Sequence, residues 1–151
     1  MNKAKSLQVL QAYATGLAAQ SYSHKVQSKV FADQGFSKLA EKYAAHSAEE
    51  MGYVEQFVER ILDLGGQPLV EASPAQEIFT DPVAFLRADL AISQREVPVL
   101  MELTASLDDD FKTYDILRAY ALDEEEDMYW MEQQLDLIEK IGLQNWLVKQ
   151  L

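Results

Sequence analysis

Helix breakers are few in this chain and mostly grouped: prolines stand at 68, 74, 82 and 98, and glycines at 16, 35, 52, 65, 66 and 142. Long stretches are left without a stop signal, and in them apolar residues return with a period near 3.6. The first helix is expected from about Lys5 to Ala32, with Leu7, Leu10, Ala14, Leu17, Ser21, His24 and Phe31 on one stripe. Gly35 breaks it. The second runs from about Phe36 to Leu64, aligning Phe36, Leu39, Tyr43, Ser47, Glu50, Val54, Phe57, Ile61 and Leu64, and Gly65-Gly66 ends it.

The stretch QPLVEASPAQEIFT has no clear period and is too long for a simple link between antiparallel neighbours. Asp81 before Pro82 is a helix cap with proline at the first helical position, opening a third helix to about Leu107 that Pro98 should kink. A fourth begins near Asp110, turns Tyr114, Leu117, Ala121, Glu124, Met128, Met131, Leu135 and Ile138 inward, and stops at Gly142. The closing LQNWLVKQL reads as a short apolar helix. Four long helices, short links within each pair and one long crossover describe a single all-α domain over residues 1–151, a ferritin-like four-helix bundle with a short C-terminal fifth helix.

Composition narrows the functional classes. With 25 acidic against 13 basic residues the formal net charge is −12, which disfavours nucleic acid, since phosphate contacts need clustered Lys and Arg. There is no cysteine, which removes thiolate metal sites and cysteine nucleophiles. No apolar run approaches transmembrane length, and the start MNKAKSLQVLQAYATG lacks the unbroken apolar stretch of a secretory signal, so a cytoplasmic location without a membrane partner is expected.

Glu50 and Glu124 interrupt otherwise apolar stripes, where an unpaired carboxylate costs several kcal/mol, on the order of a buried ion's penalty. In bundles of this type such acids hold two irons, using a glutamate from each of two helices and Glu-x-x-His from each of the other two. Here Tyr53 stands three residues after Glu50 and Asp127 three after Glu124. Neither histidine, His24 or His46, follows a glutamate at that spacing. The first helix carries no acid at all, because the first in the chain is Asp33. On the third helix Ser93 takes the stripe position, with Asp89 and Glu96 flanking it.

The segments GFSKLAEKYAAHSAEEMGYVEQFVERILDLGGQP, FLRADLAIS and LDEEEDMYWMEQQLDLIEKIGLQNWL resemble the bacterioferritin family across essentially the whole chain. The resemblance implies a shell of twenty-four subunits around an iron mineral. It also implies b-type haem between twofold-related subunits, each giving one axial methionine from its second helix. That position is Met51, beside an alanine strip of Ala40, Ala44 and Ala48. Ser21, Tyr22 and Lys25 stand where apolar residues are usual near the haem, and Lys25 is placed to pair with a propionate.

The family's iron ligands carry over only in part. Its first-helix glutamate corresponds to Leu17, its third-helix glutamate to Ser93, and its two histidines to Tyr53 and Asp127; Glu50 and Glu124 match. Glu50, Glu124 and Asp127 therefore read as the remnant of an iron site, with Glu50 expected to hydrogen-bond Tyr53 or to take up a proton. The functional expectation is a haem-binding, iron-storing subunit without a normal ferroxidase centre and inactive in iron oxidation on its own. It would co-assemble with a ferroxidase-active subunit and receive electrons from a ferredoxin for iron release; a shell of this chain alone remains open. Two alternatives are a divergent ferroxidase using Glu50, Glu124, Asp127 and Asp89 or Glu96, and a structural protein without cofactor. Glu49, Glu125 and Glu126 read as a solvated charge run or as aids to cation movement.

Overall fold

A computed structural model describes residues 1–151. It contains five helices and no strand: α1 (Lys3–Asp33), α2 (Ser37–Asp63), α3 (Pro82–Ala105), α4 (Phe111–Ile141) and α5 (Leu143–Val148). The limits follow local chemistry. Asn2 caps α1 by accepting from the Lys5 amide, Asp81 caps α3 with Pro82 at its first position, and Asp110 caps α4. Gly35, Gly65 and Gly142 all take positive φ just past a helix end. Gly66 sits in a tight place for a different reason, since a Cβ there would meet the Leu7 side chain at 2.6 Å and the Ile61 carbonyl at 3.2 Å. Despite Pro98, α3 stays helical through to Ala105.

The long connection is a strap laid along α1. Gln11 accepts from the Leu69 amide at 2.9 Å, Gln27 exchanges hydrogen bonds with the Phe79 backbone, and Gln34 donates to the Thr80 carbonyl. At one end of the bundle Arg60 of α2 donates to Asp110 at 2.6 Å, tying the end of one helix to the start of another.

Two apolar cores occupy the ends of the bundle. One contains Leu10, Leu17, Phe57, Ile61, Leu100 and Leu117; the other contains Phe31, Leu39, Tyr43, Leu86, Met131 and Trp146. Each of the four long helices contributes to both. On every one of them a buried polar residue lies between the two contributions: Ser21 and His24 on α1, His46, Ser47 and Glu50 on α2, Ser93 on α3 and Glu124 on α4. The bundle is thus apolar, polar and apolar along its length, and the polar layer is the candidate site.

Candidate metal centre in the polar layer

Ser21 and Ser47 lock α1 to α2 at this level, each hydroxyl donating to the other's backbone carbonyl at 2.7 Å. The small side chains bring the two helices close, and they place His24 and Glu50 opposite each other. His24 Nδ1 lies 2.6 Å from Glu50 Oε1, and His24 Nε2 lies 3.0 Å from Asp89 Oδ1. Gln20 donates to the other Glu50 oxygen. Burial alone would push the His24 imidazole down, but the hydrogen bonds and charges of Asp89 and Glu50 more than reverse it and hold it well above the ordinary histidine value. His24 is therefore an imidazolium clamped between two carboxylates.

The other half of the layer is built differently. His46 contacts Asp127 through Nε2, and the Tyr43 ring stacks on His46 with the planes 14° apart. Burial lowers the His46 basicity, and the Asp127 hydrogen bond and charge raise it further than burial lowers it. Glu124 stands beside this pair, and the ligand atoms of His46, Glu124 and Asp127 lie within 4.8 Å of one another. Glu124 is 9% exposed. It takes no part in any hydrogen bond or ion pair. Burial first, then the charges of Glu50 and Asp127, push its carboxyl up to about 8.

The sequence-derived residues fare unequally. Glu50 and Glu124 are buried as expected, and Asp127 lies near them at the edge of the layer. Leu17, expected from the resemblance to stand at the family's first-helix glutamate, is 2% exposed and packs into an apolar core. Ser93 lines a small cavity of about 30 Å³ with Glu124, Asp89 and Glu96. The expected Glu50–Tyr53 hydrogen bond is absent. Tyr53 donates to Asp123 of α4, because from its position on α2 it reaches across to the outer part of that helix, while both Glu50 oxygens are taken by His24 and Gln20.

The carboxylate set proposed with Asp89 or Glu96 also changes. Asp89 is engaged by His24, and Glu96 is exposed beside Arg95. His24 and His46 are the donors that the Glu-x-x-His template missed. His24 already stood on the inward stripe of α1, and His46 lies four residues before Glu50, a spacing that shares a helix face.

Met51 lies outside the layer. It is 37% exposed and in line with Val54 and Val58, which help to line an apolar cavity of about 650 Å³ beneath the strap, together with Ala14, Ala18 and Tyr22 of α1. Ser21 faces inward to Ser47 and takes no part in that surface, whereas Tyr22 and Lys25 are exposed. Glu49, Glu126, Asp123 and Asp127 line an open cleft of about 540 Å³ between α2 and α4, and Glu125 stands apart from it.

Comparison with known proteins agrees with this fold. A family model described as a ferritin-like domain matches residues 8–141. The chain is 36% identical over 140 residues to a bacterial ferritin of Pseudomonas aeruginosa, covering 91% of this chain and 90% of the relative. It is 38% identical over 130 residues to a bacterial ferritin of Neisseria meningitidis serogroup B, 83% of each, and 28% identical over 116 residues to a bacterioferritin of Rhodobacter capsulatus, 76% of this chain and 72% of the relative. Four long helices joined by one long crossover, with acids buried midway along them, place this chain in the ferritin-like domain family.

Proposed function

We propose that this chain is a cytoplasmic iron-storage subunit of a twenty-four-subunit shell. It holds b-type haem through Met51 at a twofold contact and works beside a ferroxidase-active subunit instead of building the family's di-iron centre. The observation that carries the reading is Leu17: a buried leucine in the apolar core cannot serve where the family places its first-helix glutamate. Tyr53, turned to Asp123, leaves a second ligand position without a donor toward Glu50. The relatives named bacterial ferritin and bacterioferritin support iron as the cargo.

Haem is supported by the chemistry at Met51. A partly exposed thioether is a suitable soft axial ligand, and the neighbouring Ala44 and Ala48 leave room for a flat group to approach α2. Lys25, exposed on α1 three residues from Tyr22, offers a cation suited to a propionate. Bound haem would supply an electron-transfer centre; the chain's own part is to seat it at the subunit contact, with a ferredoxin as the donor.

The test is optical. The purified protein reconstituted with haem should show a Soret band that Met51→Leu abolishes, while the folded state changes by less than about 0.5 kcal/mol, as for a surface substitution. A protein that stays colourless would leave a cofactor-free structural role. A second reading, a divergent ferroxidase, is favoured only by the convergence of His46, Glu124 and Asp127, and requires oxygen-dependent iron oxidation by this chain alone.

A further inference from the structure

The two halves of the polar layer each set two acids against one imidazole, but they differ in how the acids are paired. In one half both acids have a partner, since His24 lies between Glu50 and Asp89. In the other His46 pairs with Asp127 alone, and Glu124 has no partner although it is nine-tenths buried. The Tyr43 hydroxyl, on the ring that stacks against His46, is also buried and unpartnered. A buried acid without a hydrogen bond is a group that a ligand should satisfy.

We infer that His46, Glu124 and Asp127 form a site for one divalent transition-metal ion, loaded through the acidic cleft between α2 and α4. Glu124 and Asp127 are three residues apart on one face of α4, and His46 approaches from α2, so one nitrogen and two oxygen donors converge from two helices. Imidazole with carboxylates suits iron(II), zinc or cobalt(II) better than magnesium or calcium, which prefer oxygen alone. Charge agrees: a dication, two carboxylates and a neutral imidazole sum to zero, whereas without the ion the site keeps an acid that nothing pairs.

Glu50 acts from behind. Both of its oxygens are already used by His24 and Gln20, so it contributes charge and not a ligand bond, and the site is mononuclear. Tyr43 fixes the plane of the His46 ring by stacking. The entry path is on the surface: Asp127 belongs both to the buried set and to the open cleft, where Glu49, Asp123 and Glu126 outnumber the one lysine, Lys42, and favour cations. Glu124 and Asp127 stand at positions that the resemblance gives to iron ligands, whereas His46 stands at none of them, so the ligand set is this chain's own.

Cobalt(II) titration of the assembled, haem-free protein tests the assignment. One tight cobalt per chain with a visible d–d band is expected, and His46→Gln and Asp127→Asn should each weaken it by at least about tenfold, as loss of a ligand should, with the helical circular dichroism unchanged. A band and affinity indifferent to both substitutions would overturn the site. X-ray absorption of the cobalt-loaded wild type decides independently of whether either variant folds: one imidazole among oxygen ligands supports it, and an all-oxygen shell overturns it. Neither readout depends on the Soret band, so failure here and failure of the haem reading are separate results.

Discussion

The apolar core around Leu117 and the polar layer around His24 are made by the same four helices a few turns apart, yet they hold the bundle together by different physics. Leu117 is wholly buried among Leu10, Leu17, Phe57 and Ile61, and its contribution is area removed from water, which does not depend on protonation. His24 is also buried, but what it contributes depends on its proton, because a neutral ring would leave Glu50 and Asp89 facing each other without a cation. A core tolerates most apolar side chains of suitable volume and shape. The layer tolerates only a balanced set of charges.

The largest effect that would sharpen this contrast is expected from His24→Leu. Removing the cation leaves Glu50 and Asp89 without a counter-charge, and the metal-free protein should lose about 3–5 kcal/mol in urea denaturation at pH 6. The loss should shrink with rising pH. Because His24 in the folded state titrates above the ordinary histidine value, its contribution is fully present below about 6.5 and fades as pH climbs through the folded value. A loss of equal size at pH 6 and pH 9 would contradict the imidazolium clamp.

Leu117→Ala should cost about 3 kcal/mol, within the range for truncating a buried leucine, and by the same amount at both pH values. A strong pH dependence there would erase the distinction between the two regions. The smallest effect is a gain. Glu124 binds its proton more tightly folded than unfolded, so its stabilising contribution is present below about 4.5 and is lost as pH rises through about 8. Glu124→Gln should therefore leave metal-free stability nearly unchanged at pH 5 and raise it by on the order of 2 kcal/mol at pH 8.5, part of the full shift at about 1.4 per unit. A loss at high pH would mean that Glu124 has a partner in the folded chain.

The same contrast explains what was legible in the sequence. Helix limits are local: Gly35, Gly65-Gly66, Asp81-Pro82, Asp110 and Gly142 lie at or beside the ends of the helices, and the first and second stripes match the buried faces closely. Glu50 and Glu124 were legible because an acid in an apolar stripe violates its surroundings. The pairing of those acids was not. His24 and Asp89 are 65 positions apart and meet only through the axial register of α1 against α3, which no spacing within one helix encodes. Tyr53 illustrates the converse: three residues from Glu50 on α2, it finds its partner in Asp123 of the neighbouring α4 instead.

The central claim is that iron finds one place in this bundle, among His46, Glu124 and Asp127, and that the family's paired irons have no counterpart at Leu17 and Ser93. Anomalous diffraction at the iron edge, from crystals of the haem-free protein exposed to iron(II) without oxygen, tests this most directly. A single peak in the bundle interior is expected, within bonding reach of the His46 ring and the Glu124 and Asp127 carboxylates. Two peaks bridged by Glu50 and Glu124 would contradict it.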